Sequence, residues 1–231
     1  MLISIHQPNY MPWLGYFAKM LYADKFVFHD DIQFSNNSYT NRVQIKNNDN
    51  VKWLTVPVKK PRFGTNINNI EFSQDDWPKK HLNHLNGSYA KSKAFKEVWP
   101  DVQEIYNSID TSQLLLFSNI EIVKKVAKLL EIKCDFLLSS EIDSKGSGDD
   151  KLISIVSEIS KSATYVSGSG GAKYQDPDKF FNSGLGFEYI KFSHPTYLQS
   201  GEKFQPGLSI IDAIFQLGWS EVSNIIRKSI I

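Results

Sequence analysis

Leu2-Ile3-Ser4-Ile5-His6-Gln7-Pro8-Asn9-Tyr10-Met11-Pro12-Trp13-Leu14-Gly15-Tyr16 is the stretch on which the reading of the whole chain turns. Its first part, Leu2 to Ile5, is a short apolar run of the buried-strand kind. From Leu14 to Ala23 the apolar residues Leu14, Phe17, Ala18 and Leu21 recur at helical spacing. The residues between them form a strand-to-helix loop. In open α/β sheets the crevice outside the carboxyl ends of the strands is where ligands bind. A turn that merely packs has no need of His6, Gln7, Asn9, Tyr10, Trp13 and Tyr16 together.

Outward from this loop, strand and helix patterns alternate. Lys25 to Phe28 reads as a strand ending in His29-Asp30-Asp31. Asn41 to Lys46 and Lys52 to Val58 are β-rich runs separated by Asn47-Asn48-Asp49-Asn50, so a hairpin is expected. Pro57 pushes the second run to an edge or ends its pairing. From about 73 to 131 the pattern is helical: one helix opening at Trp77-Pro78, a second over Ala94 to Ser108 broken or restarted at Pro100, and a third over Thr111 to Glu131.

Alternation then returns. Cys134 to Leu138, Thr164 to Val166 and Phe187 to Phe192 read as strands. Asp150 to Ile159, Pro177 to Asn182, Ser209 to Leu217 and Glu221 to Ser229 read as helices. The expected architecture is α/β: a mixed or mainly parallel sheet flanked by helices, with a β-hairpin near the N-terminus and a helical insert in the middle. One domain over 1–231, built on a sheet drawn from both termini, is expected.

Composition narrows the function. With 26 basic and 25 acidic residues the net charge is +1, which makes no electrostatic case for nucleic acid. The single cysteine, Cys134, excludes an intramolecular disulfide framework and any cysteine-rich zinc site. No stretch reaches the about 18 apolar residues of a membrane span. His6 and two prolines interrupt the first apolar run too early for a signal peptide, so the chain is expected in the cytoplasm.

The candidate chemistry lies where strands end. The His6 imidazole could act as general base, phosphate donor or metal ligand, or be simply hydrogen-bonded. Gln7 and Asn9 can read amide or hydroxyl edges, and Tyr10, Trp13 and Tyr16 can stack on a sugar or a base. Asp30 or Asp31 could orient His6 as in a general-base dyad, or cap a turn. Arg42 and Lys46, four apart on one strand face, could form a phosphate platform; a solvated hairpin face is the plain alternative. Lys80 and His81 lie on a basic helix face that could touch an anion. His81 and His84 could share a metal, but no third ligand is evident, and no metal site is expected.

Ser167-Gly168-Ser169-Gly170-Gly171 follows a strand, where exposed backbone N–H groups can cradle an anion, with Tyr174 close behind. It is neither a Walker loop nor a full G-x-G-x-x-G pattern. His194-Pro195-Thr196-Tyr197-Leu198-Gln199 echoes the opening motif after the last strand. Ser209 reads as a helix N-cap, with Asp212 where a capping-box acid would stand.

Taken in order, the opening motif, Asp31-Ile32-Gln33-Phe34, Asn41-Arg42 with Ile45-Lys46, Trp53 to Val58, Lys80-His81, Tyr165-Val166-Ser167-Gly168 with Tyr174, and Ser209 to Asp212 resemble the WbqC-like protein family essentially end to end. The family is bacterial, and its genes often sit among those for O-antigen or other surface polysaccharides. The resemblance implies an enzyme acting on a nucleotide-linked amino sugar, with acyl or aminoacyl transfer as the leading expectation. Under it His6, Asp30 and Asp31 are catalytic. Gln7, Asn9, Tyr10, Trp13, Tyr16, Gln33, Asn41, Arg42, Lys46, Lys80, His81, Ser167, Gly168, Tyr174 and Gln199 bind substrate.

A nucleotidyl- or adenylate-forming enzyme ranks second, because the paired histidines H-x-G-H of that superfamily are missing at position 9. A non-catalytic sugar-nucleotide-binding protein is the third reading. No cofactor follows from the motifs: an acyl donor, or ATP with magnesium, stays open, as does a homodimer. A composite site requires the His6 and Gly168 loops to share one pocket, within about 20 Å of each other.

Overall fold

The computed structural model describes residues 1–231. Five strands form one sheet: β1 (Leu2–His6), β2 (Lys25–Phe28), and, after the hairpin β3 (Arg42–Asn47) and β4 (Asn50–Thr55), β5 (Asp135–Leu138), β6 (Thr164–Gly168) and β7 (Gly186–Ile190). Their order is β5-β2-β1-β6-β7, and every neighbouring pair is parallel. The hairpin stands apart as a two-stranded antiparallel sheet.

Side-chain alternation explains why the sheet is buried on both faces. Ile3, Ile5, Val27 and Tyr165 face α5 (Gly148–Ile159) and α6 (Pro177–Asn182), meeting Ile155, Val156 and Phe180. Phe26, Phe28, Val166 and Ile190 face the other way, into a much larger core. There α1 (Leu14–Tyr22) packs with α4 (Leu115–Leu129), α7 (Ile210–Leu217) and α8 (Trp219–Lys228). The same continuous core takes in the hairpin and the helices α2 (Trp77–Tyr89) and α3 (Phe95–Asn107). On the α1 side of β1, the buried Ser4 donates its hydroxyl to the Val166 carbonyl at 2.8 Å, tying β1 to β6.

Local departures from the expected elements have local causes. Pro100 does not break α3, which runs through it; in the second turn its missing N–H costs the helix one bond. The third helix begins at Leu115 rather than Thr111 because Asp110 accepts from both the Ser112 backbone N–H and its hydroxyl, closing a turn. In the hairpin, Asn47 pairs with Asn50, and Asn48 adopts the left-handed conformation at φ 53° that such a tight turn demands. Strand pairing stops at Thr55, short of Pro57.

Candidate functional site

Between β1 and β6 the strand order reverses. From β1 the chain proceeds through α1 to β2 on one side, and from β6 through α6 to β7 on the other. Connections that leave in opposite directions open a crevice at the carboxyl ends of the two strands. The register Ser4↔Val166 sets the His6 loop beside the Gly168 loop. Together they line a hollow of about 350 Å³.

Three features define this hollow, two of them from the opening motif. His6 lies at 4.7 Å, edge-on, from the Tyr16 ring, and the Tyr16 hydroxyl donates to the Gln7 carbonyl at 3.0 Å, pinning the loop to α1. The Trp13 ring lies directly over Gly15, where a Cβ would come within 2.3 Å of the indole. A larger residue at 15 would therefore evict the tryptophan from the wall. Trp13 is also stacked parallel to His194 at 6.1 Å.

The third feature is Lys19, which the sequence reading did not single out. It is buried, and its ammonium donates to the Ile5 carbonyl at the end of β1 at 2.7 Å. Burial pushes its pKa down to about 7. Burial, reinforced by the nearby Lys19 ammonium, pushes His6 down to about 3, so its imidazole is neutral. The carbonyl of Gln7 at 3.1 Å from Nδ1 can only accept, which places the ring proton on Nδ1 and the lone pair on Nε2. No carboxylate lines this hollow. Its one lysine is Lys19, which an anion in the hollow would hold as the ammonium, and its far wall is the glycine loop from Ser167 to Gly171. Lys19 stands three residues after Tyr16 on α1, which is the signal that could have found it.

A second hollow, of about 830 Å³, adjoins the first and shares Gly171 and Gln175 with it. It lies outside β2 and the start of α5. Asp31, Gln33 and Tyr174 line it, as do His29 and Lys151, to which the sequence reading gave no role.

The expected pairing of His6 with a carboxylate is not formed. Asp31 accepts from Lys151 at 2.5 Å and from the Ser139 hydroxyl at 2.5 Å, and stands 3.8 Å from His29 Nε2. Burial raises the Asp31 pKa, but Lys151, Ser139 and His29 outweigh it and hold it below the ordinary value. Asp30 is fully buried, accepts the Ser140 backbone N–H at 3.0 Å and donates its own N–H to the Ser139 hydroxyl at 3.1 Å, so it ties β2 to the segment after β5. Both acids turn toward Ser139 beyond β5, on the side of β2 away from β1.

Several other expected ligand contacts lie elsewhere in the fold. Tyr10 and His81 are core residues. The Thr55 carbonyl takes the His81 Nε2 proton at 3.0 Å, His81 Nδ1 accepts from the Tyr10 hydroxyl at 2.8 Å, and Tyr10 is 2.6 Å from the Tyr106 hydroxyl. Asn9 is buried; Asn41, buried too, donates to the Val56 carbonyl. Gln7 accepts weakly from Thr40 at 3.4 Å.

Arg42 and Lys46 form no phosphate platform. Arg42 stacks over Trp53 at 4.0 Å, whereas the buried Lys46 donates to the Lys203 carbonyl and to Gln199. Gln199 closes the 199–205 loop on itself through the Gln205 backbone. Lys80 is exposed and paired with Asp76 at 2.8 Å. Ser209 caps α7, but Asp212 accepts from the Tyr89 and Tyr197 hydroxyls instead of completing a capping box.

Burial pushes the Cys134 thiol up to about 12, and it lies in neither hollow. No group of three or more His, Cys, Asp or Glu side chains is arranged to hold a metal ion, and no helix is long and apolar enough to cross a membrane.

Comparison with known proteins gives a family and one distant relative. The model of the WbqC-like protein family matches residues 7–224. An uncharacterized protein of Mycobacterium tuberculosis is 28% identical over 218 residues, covering 94% of each chain. No solved structure matches the chain.

Proposed function

The chain belongs to the WbqC-like protein family, and from that premise we propose that it is a transferase of surface-polysaccharide synthesis acting on a nucleotide-linked amino sugar. The observation that carries this reading is the hollow at the β1–β6 crossing, which joins a buried cation, a neutral imidazole and a glycine-rich backbone. The Lys19 ammonium attracts a diphosphate, and the backbone N–H groups of the Ser167–Gly171 loop let its oxygens approach closely. Trp13 offers an aromatic wall to the sugar or the base. The His6 Nε2 lone pair accepts a hydrogen bond from the bound ligand. Of the residues expected from the sequence, His6, Trp13, Tyr16, Ser167 and Gly168 serve this hollow, and Asp31, Gln33 and Tyr174 serve its neighbour.

Calorimetric titration with UDP and UDP-sugars tests the binding half of this reading. We expect binding in the micromolar to millimolar range, weakened about 10-fold or more in Lys19→Met. Absence of binding for every nucleoside diphosphate tried, or an unchanged affinity in Lys19→Met, overturns it. His6→Ala separates an enzyme from a binding module: an enzyme loses turnover while still binding ligand.

A further inference from the structure

The two adjoining hollows differ in charge. The first has one ammonium, Lys19, and no carboxylate. The second carries Asp31, Asp149 and Asp150 against Lys151 and Lys179. Two of those acids are matched by the two lysines, Asp31 by Lys151 and Asp150 by Lys179 at 3.3 Å. Asp149 accepts only the Asp176 backbone N–H, at 2.9 Å. The second hollow is thus left one negative charge in excess, next to a site suited to anions.

At the strand end of this second hollow stands His29. Its backbone N–H donates to the His6 carbonyl at 2.8 Å, so the two histidines end adjacent strands. The His29 Nε2 is buried and has no hydrogen-bond partner, and the nearest carboxylate, Asp31 Oδ1, is 3.8 Å away. A proton on Nε2 is drawn toward that carboxylate, which leaves the lone pair on Nδ1. Lys151 holds the other oxygen, Oδ2, and Ser139 donates to the same Oδ1 that faces His29, so the carboxylate cannot easily swing away. This sets a carboxylate beside an imidazole one strand over from His6, at 3.8 Å and without a formed hydrogen bond.

We infer that the second hollow seats the primary amine of the acceptor, with Asp149 attracting its ammonium form and His29, oriented by Asp31, accepting its hydrogen bond. The inference rests on the proposed nucleotide-sugar reading for what fills the first hollow. The charge division then sets polarity: diphosphate toward Lys19, amine toward Asp149, with Gly171 and Gln175 at the waist. A hydroxyl in place of the amine would keep the His29 contact and lose the attraction to Asp149.

The test compares UDP-glucosamine, which carries a free amine, with UDP-glucose, by calorimetry on the full chain. The expected result is a preference of about 10-fold for the amine. Asp149→Asn, which can still accept the Asp176 N–H, and His29→Gln should each reduce that preference to about 3-fold or less while UDP itself binds as before. A wild-type protein that binds UDP but shows no amine preference overturns the inference and spares the nucleotide reading. So does a preference that survives both substitutions. If UDP does not bind, the nucleotide reading falls, and the second hollow is judged with glucosamine alone. In that case a shift of the His29 ring nitrogens in ¹⁵N-histidine spectra with glucosamine, absent with glucose, supports the hollow's role, and no shift overturns it.

Discussion

Two polar clusters in this molecule each join a lysine and an aspartate to aromatic or amide partners and come to opposite ends. Beneath the hairpin, Tyr89 and Tyr197 both donate to Asp212, at 3.1 and 2.9 Å, while Lys46 and Gln199 close the neighbouring loop. At the strand ends, His6, Lys19, His29 and Asp31 surround open space, and the His6 Nε2 lone pair has no protein donor. Both clusters carry residues that a motif search would call functional. What separates them is hydrogen-bond accounting: a network satisfied within the protein has nothing left to offer a ligand. Changes in the first cluster should therefore cost stability and spare binding, and changes in the second should do the reverse.

Asp212→Ala gives the largest expected effect. It strands two buried phenols, and chemical denaturation should show a loss of about 2–4 kcal/mol. Nucleotide affinity should be unchanged in the fraction that remains folded. A loss of affinity with full stability would place Asp212 in a site and break the comparison.

Gly15→Ala should come next, because it lies on the seam between packing and site. The added Cβ meets the Trp13 ring at 2.3 Å, so the indole must move. We expect about 1–3 kcal/mol of destabilisation, a shifted tryptophan emission, and weakened ligand binding together.

A subtler test uses pH. Lys19 is lowered from 10.5 to about 7, and His6 from 6.5 to about 3. In each window the unfolded chain binds more protons than the folded one, so stability falls as pH is lowered through it. Urea midpoints should decline from pH 10 toward 7, a decline that Lys19→Met flattens, and again below pH 6.5 toward 3, a decline that His6→Gln reduces. Removing the Lys19 charge should also raise the His6 pKa, seen by NMR titration. An unaltered pH profile in Lys19→Met would mean that its ammonium is not buried beside the site.

Lys80→Ala should change least. Its ion pair with Asp76 is exposed, and pairs of that kind are worth less than about 1 kcal/mol. The thermal midpoint and ligand affinity should stay where they are; a clear loss of affinity would return α2 to the site.

The particulars show which signals were legible. The opening motif disclosed a strand, a loop and a helix in the right places, and its His6, Trp13 and Tyr16 do line a hollow with Ser167 and Gly168. Tyr10 belongs to the same motif and is nonetheless core, because one face of the loop turns inward toward His81 and Tyr106. Residue type alone does not distinguish the two faces of a loop. Lys19 was hidden for the opposite reason: a lysine in a helix reads as solvated surface, and only the 2.7 Å reach back to the Ile5 carbonyl makes it part of the site. Asp31 was recognised and its partner mistaken, since it turns toward Ser139 and Lys151 on the side of β2 away from His6.

Local periodicity, set by the geometry of the chain itself, was enough to determine the alternation of strands and helices, a mixed or mainly parallel sheet and the hairpin between Asn47 and Asn50. These depend on residues a few positions apart, whose side chains meet one way in a strand and another in a helix. Only the tertiary structure decided that β6, more than 150 residues downstream of β1, lies against it and not beyond β5. That choice places the reversal of strand order at His6, and so creates the hollow. It also decided that Asp31 pairs with Lys151 and Ser139, and that Lys46 and Asp212 are consumed by the core. Such allocations depend on partners distant in sequence, and no local pattern carries them.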